Sequence, residues 1–328
     1  MSGAANPRGA PPRVRLGVDE NGLGARLGPL VVTAVAARVD AGGRAALERP
    51  LPRALRADLD DSKRLVAHGD VALAEAWARA LVPAAVTPAE LFTRITLEGE
   101  RDLRADCPGA AEPQCWHLEG ERFCAPAPLL ARVARHVDAL RELGVEIAGA
   151  RSSVVCVRRL NEARARGVNR FAVDLHAMER LVLEAREAHG LAVEAVCGKV
   201  GGIGAYGPCF GPLAGRLHVV VEEGRASSVY RFPGLGELRF VRDADAADPL
   251  VMVASLIGKW LRELLMARIG RFHQRALGAA VDNGPSGYHD PVTAAFVRRT
   301  LPIRQAASIP DGCFERAGRA RSAAGDAG

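Results

Sequence analysis

Residues 14–40 read VRLGVDENGLGARLGPLVVTAVAARVD. Val14, Leu16 and Val18 alternate, so they fall on one face of an extended chain, and the β-rich run Leu30–Val39 comes after a glycine-rich turn. A β-hairpin is predicted, and it commits the chain to a sheet. Beyond the hairpin, helical and strand patterns alternate. Helical patterns cover about 69–81, 88–100 and 128–143, and short strands are expected near Val145–Ile147 and Val154–Val157. Residues 170–189 carry an apolar stripe of Phe171, Leu175, Met178, Val182 and Ala185, which predicts an amphipathic helix packed on a core. After Gly190, LAVEAV has the composition of a strand. LHVVVEEG and SSVYRF form a hairpin around Glu223-Gly224, and GELRFVRDAD is one more strand. Asp248-Pro249 offers a helix cap with proline at the first helical position, and Leu250, Val253, Ala254, Ile257, Leu261, Leu264 and Leu265 line the helix it starts. Alternating strands and helices predict an α/β fold.

The chain of 328 residues, 48% hydrophobic, suits one large domain with an insertion. That domain is expected over 14–315, with an insertion at about 103–127 and disordered tails at 1–13 and 316–328. No apolar run of roughly 18 residues occurs, so no membrane span is expected. The first residues, MSGAANPRGAPPR, lack the apolar core of a signal peptide, and a cytoplasmic location is expected. A net charge of +6 permits a polyanionic partner without requiring one. Of 44 basic residues only Lys63, Lys199 and Lys259 are lysines. A lysine kept in such a chain hints at a need for a compact ammonium. Cys107, Cys115 and Cys124 lie near His117, but their spacing is not that of a zinc site, and free or locally paired thiols are expected.

Three clusters can carry chemistry. Asp19-Glu20 ends the first strand, just before Gly22-Leu23-Gly24. Neighbouring strand residues point to opposite faces, although a bulge or turn can bring both to one edge. Two carboxylates there repel unless a hard cation such as Mg²⁺ or Mn²⁺ lies between them. Asp243 and Asp245 stand two apart and would share a strand face, with Asp248 as the helix cap. Ser255, Lys259, Arg262 and Glu263 form a polar ridge on the next helix. It can face phosphates, or be a solvated face with a Lys259–Glu263 pair. Each cluster taken alone is as readily explained by solvation. VCGKVGG at 196–202 sets a lysine among glycines but lacks the G-x-x-x-x-G-K-[ST] pattern of a phosphate loop.

Taken together, these segments resemble the ribonuclease HII family. GVDENGLGARLGPLVVTAV resembles its opening strand and turn, and LDDSKRL its D-S-K-x-L segment. FPGLGELRFVRDADAADPLVMVASLIGKWLRE resembles its A-D-x-x-x-P and A-S-I-x-A-K run. SGYHDPVTAAFV resembles its G-Y-x-x-D-P-x-T segment, one residue short. The matches keep the family's order across about 14–300. The resemblance implies a ribonuclease H-like mixed sheet flanked by helices, with a C-terminal helical part. It implies Mg²⁺- or Mn²⁺-dependent endonucleolytic hydrolysis of the RNA strand in RNA–DNA hybrids or ribonucleotide-containing duplexes, by a monomer. Carried over by position, Asp19, Glu20 and Asp245 would be catalytic metal ligands; Asp243, on the strand face expected for Asp245, would be a compensating one. Gly22 and Gly24 would lie against the ribose. Tyr288 would stack near the same sugar, and Lys63 and Lys259 would meet phosphates or orient the carboxylates.

Two departures stand out. Leu23 replaces the arginine of the family's G-R-G. Where the family keeps a further aspartate at the end of the strand matching LAVEAV, this chain has Gly198 or, in another register, Cys197. The carboxylates that remain favour an enzyme. Gly198 and Leu23 favour a non-catalytic module that binds nucleic acid in a salt-sensitive way without cutting it. A third alternative is a domain that uses its surface, including the insertion, for a protein partner.

Overall fold

The structure is a computed structural model that describes residues 13–109, 113–200, 202–277 and 284–318. The expected hairpin forms: β1 (Arg13–Asn21) pairs antiparallel with β2 (Leu30–Val39), and Val14 stands opposite Arg38. β3 (Val145–Val155), β4 (Ala192–Gly198), β5 (Val219–Glu223), β6 (Ser227–Phe232) and β7 (Gly236–Val241) complete one sheet of order β3-β2-β1-β4-β7-β6-β5. β1–β4 and β4–β7 are parallel and the remaining pairs antiparallel, so the sheet is mixed. Helices cover both faces, and helical segments close the C-terminal end.

Strand alternation decides what each face meets. Val14, Leu16 and Val18 on β1 and Val193, Ala195 and Cys197 on β4 pack with Leu175, Met178, Leu181 and Val182 of the helix Arg170–His189. The helix begins where Asn169 caps the N–H of Ala172, and it ends where Gly190 turns left-handed. The other face receives the long helix Pro249–Leu277, together with Ala72–Leu81 and Ala127–Glu142. Gly17 lets that long helix approach: a Cβ there would stand 2.2 Å from the backbone of Leu250. A smaller apolar cluster joins Leu27, Met266, Ile269, Phe296 and Phe314 around the C-terminal end.

Three expectations change. The strands near 145–147 and 154–157 are one strand, β3, and after it comes a helix Val157–Ala165 that Cys156 caps. Asp243 and Asp245 do not share a strand, because β7 ends at Val241 and the chain turns into a one-turn helix, Ala244–Ala247. Arg316, which the sequence places in the C-terminal tail, packs onto the domain. Arg316 is buried, and its guanidinium donates to the carbonyls of Gly22 and Leu23 and, at 2.9 Å, of Gly28. The expected N-terminal tail lies almost wholly outside the described residues.

The segment expected to be an insertion is pinned to the core at several points. Glu121 accepts two bonds from buried Arg268, Gln114 bonds His273, and the N–H groups of Cys124 and Ala125 donate to Glu75. The cysteines are free thiols. Cys107 and Cys115 line a small apolar cavity with Cys156 and Cys313, whereas Cys124 lies elsewhere, beside Glu75.

Candidate active site

The sheet ends at an acidic cavity of about 450 Å³, lined by Asp19, Glu20, Gly22, Leu23, Gly24, Lys63, Asp245, Lys259 and Tyr288, among others. Its position is set by the ladder. β1 runs through Asp19 opposite Thr33 and Glu20 opposite Val32 without a bulge. Alternation sends Asp19 towards the long helix, whose Ser255 lines the same cavity, and Glu20 towards the opposite face. Both reach one cavity because the strand stops there.

Asp19 is buried, and its carboxyl is held well above its ordinary pKa, first by burial and then by the charge of Glu20. Burial also raises Glu20, to about 8, helped by the charges of Asp174 and Asp245. Neither makes an ion pair, in a chain that pairs most of its other buried acids.

Asp245 is half-buried and accepts a bond of 2.9 Å from Lys63 Nζ. Lys63 stands on the short turn of helix Ser62–Leu65, which Asp61 caps. That turn is held from beneath: Ser62 Oγ bonds Ser255 Oγ at 2.8 Å, and Lys259 Nζ donates to the carbonyls of Ser62 and Val66. Lys259 therefore positions the turn that carries Lys63. The Lys259–Glu263 pair does not form, since Glu263 bonds His68 instead. Asp243 has a left-handed backbone, φ 55°, is 78% exposed at its side chain, pairs with Arg242, and does not line the cavity.

Gly22 has φ +90°, and a Cβ there would strike Arg262 Nε at 2.5 Å, so glycine is required. Gly24 has open space where a side chain would begin, leaving its backbone free towards the cavity. Tyr288 is partly exposed, with the buried Arg262 guanidinium 4.6 Å from its ring centre. The lysine of VCGKVGG plays no part here: Lys199 donates to Ser228 and lies over the Tyr206 ring.

The carboxylates of Asp19, Glu20 and Asp245 make an all-oxygen donor set, which fits a hard divalent cation, and Lys63, Lys259 and Arg262 line the same cavity. Among the described residues, however, no three His, Cys, Asp or Glu side chains already stand in position to hold one ion together. Lys63 occupies Asp245 in the arrangement seen. Sequence reasoning misses Asp174 and Arg316. Periodicity absorbs Asp174 into an amphipathic helix, and composition absorbs Arg316 into a tail.

No family model and no curated protein matches the chain. Ribonucleases are among the solved structures it resembles. They include Bst-RNase HIII in complex with Mn²⁺ (12% identity, TM-score 0.43, 93% of this chain and 66% of that one) and the ribonuclease H2 from Pyrococcus horikoshii OT3 (15%, 0.41, 92% of each). A third is the RNase HII in a PCNA complex from Archaeoglobus fulgidus (17%, 0.32, 94% and 96%). This chain thus spans just under two thirds of the first of them. At these scores the likeness adds nothing to the assignment of chemistry, which rests on the cavity itself. Among the described residues no helix is long and apolar enough to cross a membrane.

Proposed function

We propose that the protein is a metal-dependent endoribonuclease of the ribonuclease H type, acting on the RNA strand of RNA–DNA hybrids or of ribonucleotide-containing duplexes. The observation that carries this reading is the meeting of unpaired Asp19 and Glu20 with Asp245, Gly22, Gly24 and Tyr288 around one cavity. Asp19, Glu20 and Asp245 would hold Mg²⁺ or Mn²⁺; such a cation, when bound, supplies Lewis acidity at the scissile phosphate and a water activated for attack. The chain's own residues do the rest. The backbone at Gly22 and Gly24 leaves room for a ribose and offers polar groups to its 2′-hydroxyl. Tyr288 presents a ring edge to the sugar, held by Arg262. Lys63 exchanges Asp245 for a phosphate as substrate enters, freeing that carboxylate, and Lys259 keeps the Lys63 turn in place.

The test is cleavage of a duplex with embedded ribonucleotides in Mg²⁺ or Mn²⁺. Wild type is expected to cut, and Asp19→Asn to lose about 100-fold or more. Equal activity in the two overturns the assignment. A second reading is favoured by Gly198 and by the Lys63–Asp245 pair: a module that binds such duplexes without cutting them. It predicts salt-sensitive binding, no cleavage by wild type, and binding that Asp19→Asn leaves intact or tightens.

A further inference from the structure

Gly198 lies beside the carboxylates. A Cβ built on it would stand 3.1 Å from Asp19 Oδ1 and 3.4 Å from Glu20 Oε2. A side chain at this position would project into the acidic cluster, and glycine leaves that place without an oxygen. Cys197 does not fill it, because alternation turns Cys197 into the apolar core under the helix Arg170–His189.

That helix supplies a carboxylate of its own. Asp174 is 0% exposed, and neither of its oxygens has a hydrogen-bond partner. It belongs to the same buried face as Leu175, Met178, Leu181 and Val182. The helix's other buried acid shows what ordinary accommodation looks like: Glu179 accepts from the backbone N–H groups of Gly211 and Leu213. Asp174 has no such donor, and a buried carboxylate without one is costly. It lies towards the acidic end of the sheet. Of the charges acting on Glu20 its own is the largest, it also acts on Cys197, and the charge of Asp19 acts on it in turn. Glu20 and Asp174 share one face of the sheet, and Asp19 takes the other.

We propose that Asp174 takes over from the carboxylate absent at Gly198, joining Glu20 to bind a divalent cation from the face of the sheet opposite Ser255. The proposal rests on the reading of the Asp19 cavity as a cation site. An all-oxygen set selects a hard ion, Mg²⁺ or Mn²⁺. The competing account is that Glu20 and Asp174 are neutralised by protons alone, with no role for a metal.

The experiment is a Mn²⁺ titration of the full chain, read by the electron paramagnetic resonance of free Mn²⁺. Asp174→Asn keeps the shape and removes the charge. It is expected to weaken Mn²⁺ binding about 10- to 100-fold without lowering the metal-free Tm. Adding Gly198→Asp to that variant is expected to restore most of the affinity, since the new side chain enters the same cluster. Wild type and Asp174→Asn binding Mn²⁺ equally well overturns the proposal alone, as does a double variant no tighter than the single one. A wild type that binds no Mn²⁺ overturns the proposal and the cation-site reading together. Should Asp174→Asn not fold, Asp174→Ser is read by the same criteria.

Discussion

The two ends of strand β1 treat acidic residues in opposite ways. Near its start, Glu194 and Asp248 converge on Arg15, with Asp248 at 2.8 Å, and Arg44 adds a second contact to Glu194 at 3.1 Å. Asp248 also caps the long helix through the N–H groups of Leu250 and Val251. At its finish, Asp19 is buried and Glu20 half-buried, neither with an ion pair, and Asp174 is buried without a donor. The chain is rich in arginine, and at the first end it uses Arg15 and Arg44 to pair the acids. Leaving acids unpaired at one end of the same strand costs stability, and such a cost is characteristic of sites built for a ligand.

The comparison can be broken from either end. Arg15→Ala should cost about 3 kcal/mol in urea unfolding, because it leaves Asp248 without its cation and Glu194 with only the exposed Arg44; a loss below about 1 kcal/mol would mean the paired end is not a structural device. A buried base gives the next effect. His273 is fully buried, bonds Gln114 Oε1 at 2.9 Å, and burial lowers its pKa from 6.5 to about 4. Its folded-state pKa lies below the unfolded value, so its contribution is present above about pH 6.5 and is lost as pH falls towards 4. Going from pH 7 to pH 5 should cost about 2 kcal/mol, and His273→Gln should flatten that part of the profile. Tyr288→Ala should weaken hybrid binding about tenfold with little change in stability, checked by fluorescence anisotropy. The smallest effect is the most telling. Asp19→Asn should raise the metal-free stability by about 1 kcal/mol, opposite in sign to Arg15→Ala.

Much of the site is legible in the sequence. Asp19, Glu20, Lys63 and Asp245 lie in short motifs at strand ends and helix starts, where local pattern fixes position. The hairpin and the helix 170–189 come from simple periodicity. The remainder depends on tertiary contact. Asp174 stands three residues after Phe171 and four before Met178, so periodicity puts it at the edge of the apolar stripe, but an aspartate there is read as solvated and only the packing shows it buried. Extending a strand through Asp243 misplaces it, because a left-handed turn intervenes. Arg316 lies some 290 residues from the glycine turn it holds, and no local pattern spans that separation.

The central claim is that the carboxylates at the end of β1 are left unpaired for a divalent cation. Thermal unfolding with and without millimolar Mn²⁺, on wild type and Asp19→Asn side by side, tests it most directly. The account predicts that Mn²⁺ raises the wild-type Tm by several degrees, as expected for a ligand of the folded state, and leaves Asp19→Asn unmoved. No shift in wild type, or the same shift in both, would contradict it.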